Sequence, residues 1–335
     1  MNKEKTLPDS ENTAEKEKRV FLNFTYDTLE GIFWAAVSVL CWSSLFVVVS
    51  YLTWRGNMDP YTLVYLRFTT AGICMLLFIA FVWKKNIYKD ICRKDWIKMI
   101  FHGIAIAGMS LCLFIAQNLG LPVVNASMLE AETPLVLFVL GLIFLRNRTS
   151  VLQIAGLFCG FAGCMLVLKT VTAEGFAITS FSTEDLLVFA AASFWAVYTI
   201  LAKDVIKRVG GLLYTAWSMT FAGMWTLIYQ LVMGYEINCP VMLPDILWTL
   251  YLGVIPTAMA FFAWNNAMKY ISTGLLAISG YFTPIFSAIL AAMLFKESVT
   301  GCQIFGMILV FGSAFIEPEI ADGFMGKIRK KKNKS

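Results

Sequence analysis

The sequence predicts an all-α integral membrane protein whose ten transmembrane helices form two inverted five-helix repeats. Three observations predict this fold. Apolar residues gather in ten runs of membrane-spanning length, Lys and Arg residues fall almost entirely on one side of those runs, and the second half of the chain repeats features of the first. The chain has 335 residues, 59% hydrophobic and 15% charged, whereas soluble domains average about 45–50% apolar and about 25% charged.

Each apolar run is close to the roughly 20 residues that a helix needs to cross about 30 Å of hydrocarbon. The runs are apolar around their whole circumference and lack the two-residue alternation of a membrane β-strand. The predicted spans, in chain order, are Leu29–Thr53, Pro60–Trp83, Trp96–Asn118, Pro122–Leu145, Val151–Leu168, Asp185–Ala202, Leu212–Met233, Asp245–Met268, Thr273–Phe295 and Gly301–Ile316.

The positive charges predict the orientation of these spans. With the N-terminus inside, 23 of the 27 Lys and Arg residues lie in inside segments, three lie outside, and Arg67 lies within the second span. Cytoplasmic loops carry such an excess, so we expect a multi-pass protein of the cell inner (cytoplasmic) membrane with both termini cytoplasmic. The net charge of +5 is therefore a topology signal, and it predicts no nucleic-acid partner.

An internal repeat divides the chain. A shift of 150 residues, without a gap, overlays Thr133-Pro134 on Thr283-Pro284 and a helix start, S/T-x-x-Q, at Ser150 on a second one at Thr300. Each half then holds five helices, and because five is odd, the second half enters the membrane from the opposite side. This arrangement lets a central site face each side in turn. The predicted divisions are a polar cytoplasmic tail at 1–28, repeats at 29–169 and 184–317, and a basic cytoplasmic tail at 318–335.

Several segments carry a resemblance to a known family. They are Trp42-Ser43-Ser44, Pro60 with Arg67, Ala126 through Pro134, Gln153–Gly156, Pro284, Phe295-Lys296-Glu297 and Gln303–Gly306. With these segments the chain resembles the drug/metabolite transporter superfamily, specifically its ten-helix exporters with tandem EamA-type repeats. The resemblance implies export of amino acids and related metabolites, often coupled to protons or to exchange, through a cavity between the two halves.

Three ionisable residues lie deep in the predicted spans, where charged groups are costly and mark functional sites. Arg67 is seven residues past Pro60, and Glu130 and Glu132 are eight and ten residues past Pro122, so all three lie about 10–15 Å below the outer surface. We predict that Arg67 contacts one carboxylate and that the other borders the cavity, where it binds substrate or a proton. The alternative is a structural Arg–Glu pair with the second Glu bonded to hydroxyls. The sequence leaves open which Glu has which role.

Aromatic side chains and two prolines complete the candidate site. Trp42, Trp195, Tyr198 and Tyr281 lie within spans and are predicted to line the cavity, with helix packing as the alternative. Trp42 and Trp195 are the stronger pair because a slightly different shift of the repeat brings one onto the other. Pro134 and Pro284 are predicted hinges of the fourth and ninth spans, and His102 is expected near the membrane interface.

The sequence predicts a secondary transporter of a small-molecule substrate, embedded in the lipid bilayer, and not an enzyme. A sugar-phosphate or nucleotide-sugar exchanger is the alternative within transporters, although it would need several cavity Lys or Arg residues. A membrane solute sensor or an intramembrane enzyme is the alternative of another class. The eight cysteines have no metal-type spacing, and we expect no metal and no cofactor. Proton coupling stays open, as does the choice between a monomer and a homodimer.

Overall fold

A computed structural model of the chain describes residues 20–21, 24–45, 48–49, 52, 58–88, 91–119, 123–145, 150–168, 171–172, 175–176, 184–295, 299–317 and 320. Within these ranges, the side chains of residues 20, 21, 24, 114, 117, 118, 123–131, 145, 171, 172, 175, 176, 291, 294 and 295 lie outside the description. Most of the two predicted tails also lies outside it.

Helices make up nearly all of the described structure. In the first half they are α1 (Tyr26–Ser43), α2 (Pro60–Leu77, continued by a π-helical turn at Phe78–Val82), α3 (Arg93–Asn118), α4 (Val123–Leu145) and α5 (Val151–Val167). In the second half they are α6 (Asp185–Val209), α7 (Gly211–Met233), α8 (Leu243–Gly253), α9 (Ala260–Tyr270), α10 (Thr273–Gly280), α11 (Phe282–Phe295) and α12 (Gly301–Ile316). Two short antiparallel pairs, β1 (Val20–Phe21) with β2 (Phe24–Thr25) and β3 (Val171–Thr172) with β4 (Gly175–Phe176), lie between or before helices.

The eighth and ninth spans, which the sequence predicts as continuous helices, are interrupted in the structure. A π-helical turn at Val254–Met259 joins α8 to α9 around Pro256, and a turn at Tyr281 separates α10 from α11, three residues before Pro284. Proline has no N–H to donate to the preceding turn and its ring crowds that turn. Both breaks therefore lie next to residues that cannot complete the helical hydrogen-bond ladder.

The helix ends are fixed by side-chain caps. Asp59 accepts a 2.8 Å hydrogen bond from the N–H of Thr62 at the start of α2, and Pro60 occupies the first turn, where a missing N–H costs little. Ser150 and Thr300 cap α5 and α12 in the same way. The full capping box that both sequences predict forms only at Thr300.

The helices α5 and α12, one from each half of the chain, pack antiparallel against each other. A Cβ on Gly163 of α5 would come within 2.6 Å of the carbonyl oxygen of Gly306 on α12, and one on Gly156 within 3.2 Å of that of Ser313. Moving seven residues forward on α5 thus means moving seven residues back on α12. Small residues at such a crossing let the two backbones approach closely.

Polar contacts join the halves elsewhere. The hydroxyl of Ser38 on α1 donates to the carbonyl of Ala260 on α9 at 2.9 Å. At the other end of the bundle, Arg208 of α6 pairs with Asp95 of α3 at 2.6 Å, which is the only ion pair between residues that the structure describes. These contacts hold the helices around one shared interior.

By length and composition, five helical segments within the described ranges could cross a membrane, and three shorter apolar helices accompany them. The five are Pro60–Val82, Arg93–Leu113, Asp185–Val209, Leu243–Tyr270 and Thr273–Leu290, and the shorter ones are Glu132–Phe144, Val151–Val167 and Gly301–Ile316. Together with the apolar composition, these helices make the chain a multi-pass helical membrane protein.

Candidate functional site

A cavity of about 140 Å³ lies where helices of both halves meet. Its wall combines aromatic rings, small aliphatic side chains, two threonines and one guanidinium group. The described lining residues are Trp42, Leu45, Arg67, Met109, Thr133, Pro134, Leu137, Trp195, Phe261, Trp264, Ala277, Gly280 and Thr283. The volume compares with the roughly 150 Å³ of an apolar cavity that holds one benzene, so the space suits a single ring.

Four aromatic side chains form one wall of this cavity. The Trp42 ring centroid lies 5.1 Å from that of Trp195, 5.2 Å from Trp264 and 5.6 Å from Phe261. Trp195 lies 5.3 Å from Phe261. Trp42 is partly open, whereas the other three are buried, so Trp42 presents the cluster to the cavity. We call these four residues the aromatic cage.

Arg67 contributes the only charged group among the described lining residues. Its side chain is 6% exposed, and its Nε is buried without a hydrogen-bond partner. The guanidinium carbon lies 4.6 Å from the ring centroid of Phe68, and the Phe68 ring lies 6.3 Å from that of Phe261 in the aromatic cage. A cation–π contact of this kind stabilises the charge by about 0.5–2 kcal/mol, which is less than its burial costs.

Of the two carboxylates predicted to contact Arg67, Glu132 is the one whose side chain the structure describes, and contact with Glu130 stays a prediction. No ion pair joins Glu132 to Arg67 among the described residues, and Glu132 is absent from the described lining. Its carboxylate instead lies within electrostatic range of Asp185, the first residue of α6, and its Oε2 is buried without a hydrogen-bond partner. The physical reason is rotation about the helix axis: α4 is apolar around its circumference, so the sequence does not determine which face meets α2. The side chain of Glu130 lies outside the described residues.

The other aromatic candidates lie behind the cavity wall. The Tyr198 ring packs 5.5 Å from Trp195 and 5.9 Å from Phe261, and its side chain is fully buried. Tyr281 is directed towards α5, because a Cβ on Gly160 would come within 2.6 Å of its ring. Neither residue is among the described lining residues.

Both predicted hinge prolines lie where α4 meets the broken ninth span. Pro134 lies inside α4 and lines the cavity opposite Gly280, whose Cβ position is 3.5 Å from Cγ of Pro134. Pro284 lies in the first turn of α11, just after the turn at Tyr281. Their action as hinges stays a prediction.

A buried polar network that the sequence does not predict lies beyond Tyr198. Nδ1 of His102 lies 2.9 Å from the hydroxyl of Tyr214. The Tyr198 hydroxyl donates to Oδ1 of Asn265 at 3.0 Å, and Nδ2 of Asn265 donates to Thr215 at 2.8 Å. His102 is 3% exposed, so it is buried among the helices, and its expected place near the membrane interface stays a prediction. The sequence signal for this network was the presence of polar residues within four different spans. The hydrogen-bond partners are 50 to 112 residues apart along the chain, so the sequence does not indicate which residues meet.

The described residues hold no group of three or more His, Cys, Asp or Glu side chains arranged for a metal ion. The cavity can therefore act on a solute through two features of its described wall, an apolar aromatic surface and one positive charge.

Comparison with known protein families assigns the chain to a family. The family model described as the EamA-like transporter family matches residues 29–169 and again residues 182–316. The chain belongs to the EamA-like transporter family. It is thus a membrane-embedded transporter and not an enzyme, and its substrate is a small molecule.

Relatives of this EamA-like transporter come from bacteria and archaea. An uncharacterized transporter of Archaeoglobus fulgidus is 23% identical, over 84% of this chain and 94% of its own. The aromatic amino acid exporter YddG of Ancylobacter novellus is 24% identical, over 85% and 95%. A probable amino-acid metabolite efflux pump of Escherichia coli is 23% identical, over 84% and 92%. One crystal structure superposes with a TM-score of 0.73 at 22% identity, covering 87% of this chain and 96% of its own; this likeness concerns the fold alone.

Proposed function

We propose that this EamA-like transporter exports amino acids or related metabolites through the cavity between its halves, by alternating access. One observation carries the proposal: the described cavity wall combines residues of both halves, among them Trp42 and Trp195, which the internal repeat relates. The names of two relatives, an aromatic amino acid exporter and an amino-acid metabolite efflux pump, support export as the direction and amino acids as the cargo class.

The proposed architecture is ten helices in two inverted five-helix repeats. It is supported by contacts that recur at the shift of 150 residues. The contact of Gly163 with Gly306 has as its image the contact of Ser313 with Gly156, and both occur. Since α5 and α12 run antiparallel through both contacts, a two-fold axis in the membrane plane would relate the halves.

Two further contacts fit the same axis. Nε2 of Gln153 donates to Glu317 at 2.8 Å, and its image, Gln303, donates to the carbonyl of Val167 at 3.0 Å. An axis of this kind lets either half adopt the other's conformation, so that the cavity faces each side of the membrane in turn. One chain supplies the whole described wall. A monomer would therefore suffice, and a homodimer would hold two cavities.

The alternative of a sugar-phosphate or nucleotide-sugar exchanger is disfavoured by the cavity. A volume of about 140 Å³ with one described positive charge fits a ring-sized solute. A nucleotide sugar is several times larger and brings two phosphates, which call for several cationic partners.

Vesicle flux tests the proposal. We expect purified protein in sealed vesicles loaded with labelled phenylalanine to release the label faster than protein-free vesicles. Trp195→Leu should slow this release because it removes one face of the aromatic cage. A set of labelled amino-acid metabolites that all stay inside would contradict the proposal and favour a solute sensor.

Proton coupling is part of the proposal, with Glu132 as the coupling group. Its half-buried carboxylate has one oxygen without a partner among the described residues, and a carboxylate withdrawn from water binds a proton more readily. We expect an inward-directed proton gradient to accelerate efflux, and Glu132→Gln to abolish that acceleration while the protein still inserts. Glu236→Gln, at an exposed residue between α7 and α8, is the matched control. A Glu132→Gln protein that responds normally to the gradient would remove Glu132 from the coupling role.

A further inference from the structure

We propose that the cavity selects its substrate by a carboxylate bound to Arg67 and an aromatic ring held by the aromatic cage, with no requirement for an ammonium group. The substrate class is then aromatic carboxylates in general, including acids that lack an amino group. This inference rests on the proposed function and adds to it the charge that the site demands.

The guanidinium of Arg67 has no anionic partner among the residues whose side chains are described. A buried guanidinium without an anion is expensive, and proteins normally pair it. Among the described residues, Nε has no hydrogen-bond partner, none forms an ion pair with the guanidinium, and the Phe68 ring lies 4.6 Å from it. The group lines the cavity, so an anion in the cavity would supply the missing partner. A planar carboxylate matches the guanidinium fork and can bind it through two hydrogen bonds.

The second step concerns the apolar part of the substrate. Trp42 and Trp195 each have a ring centroid within 5.6 Å of those of the other three residues of the aromatic cage. Such rings favour offset or edge-to-face contact with another ring. The cavity volume of about 140 Å³ is on the scale of one ring. A flat, ring-sized apolar group next to a carboxylate therefore fits both features.

The third step excludes an amine as the recognised group. Aromatic cages often bind quaternary ammonium groups through cation–π contacts, so the aromatic cage alone would suit a cation. Arg67 reverses that preference because a second positive charge in the same small, water-poor cavity is repelled. No described lining residue offers a carboxylate to offset the repulsion, and Glu132 is not among those residues.

The experiment measures binding to purified wild-type protein in detergent by isothermal titration calorimetry, with four related ligands. They are phenylacetate, its methyl ester, phenylalanine and phenethylamine. We expect phenylacetate to bind most tightly and phenylalanine less tightly, because Arg67 repels its ammonium group. The ester and the amine should bind at least about 10-fold more weakly than phenylacetate, the scale of one lost charge-assisted hydrogen bond. This comparison changes the ligand only and does not depend on whether a variant folds.

Variants then assign the effect to Arg67. Arg67→Gln should weaken phenylacetate binding about 10- to 100-fold and leave the weak binding of the ester unchanged. Arg67→Lys keeps the charge but loses the fork and should fall between the two. Lys207→Gln, at an exposed cation near the end of α6, is the control and should bind phenylacetate as the wild type does.

The outcomes separate this inference from the proposed function. If the ester or the amine binds as tightly as the acid, or if Arg67→Gln binds phenylacetate normally, the carboxylate selection is wrong, even where vesicles release amino-acid metabolites. If binding follows the predicted order but vesicles release none of these acids, the ligand class stands and export is wrong. If none of the four ligands binds, the inference is overturned, and flux alone decides the proposed function.

Discussion

At the scale of single residues, the contact between His102 and Tyr214 is a buried hydrogen bond between helices α3 and α7. We expect Tyr214→Phe to destabilise the protein by about 1–3 kcal/mol, because it leaves Nδ1 of His102 buried without its partner at no gain in packing. The measurement is thermal unfolding in detergent. Tyr88→Phe removes a hydroxyl from a tyrosine that is 61% exposed and should leave the transition unchanged. Equal melting temperatures for Tyr214→Phe and the wild type would contradict this account.

Some features of single residues could be predicted from the sequence, and others depend on tertiary packing. The repeat points to Trp42 and Trp195 as related positions, and the two rings do meet, at 5.1 Å. The depth of Arg67 in its span follows from counting from Pro60, and its side chain is buried at the cavity. The direction of Glu132 depends on how α4 is rotated, and a helix that is apolar on all faces carries no signal for that rotation. The partner of His102 depends on tertiary packing 112 residues away.

At the scale of helices, the crossing of α5 and α12 rests on glycines that meet backbone. A Cβ on Gly306 would come within 2.6 Å of the carbonyl oxygen of Gly163, and a carbonyl cannot move aside as a flexible side chain can. We expect Gly306→Ala to lower stability by about 1–3 kcal/mol, the usual cost of overpacking. Gly312→Ala, six residues along the same helix, meets nothing within 4 Å and should be neutral or gain about 0.5–1 kcal/mol from helix propensity. Thermal unfolding of both variants in detergent checks the pair. Equal shifts would show that close backbone contact does not hold this crossing.

The helices themselves were largely readable, because length and hydropathy determine a membrane span before tertiary contacts act. The end of α12 at Ile316 matches the prediction, and α6 continues past the predicted end at Ala202 to Val209. Residues 203–209 include basic residues, so the apolar pattern ends before them. The helix continues because basic side chains are tolerated where a helix extends beyond the membrane. The breaks at Tyr281 and at Val254–Met259 lie next to prolines, whereas Pro134 lies inside α4, which continues past it.

At the scale of the whole molecule, topology is set by charge, and two native cysteines can report it. Cys92 and Cys239 are both exposed, and the six other cysteines are only partly exposed or buried. With both termini cytoplasmic, Cys92 in the second connection lies inside and Cys239 in the seventh lies outside. Intact cells treated with a membrane-impermeant maleimide should therefore be labelled at Cys239 alone, and permeabilised cells at both. Cys239→Ser should abolish labelling of intact cells, and Cys92→Ser should leave it unchanged. Labelling of Cys92 alone in intact cells would reverse the predicted orientation. Labelling of both cysteines would place them on the same side of the membrane, which would contradict the odd number of spans predicted between them.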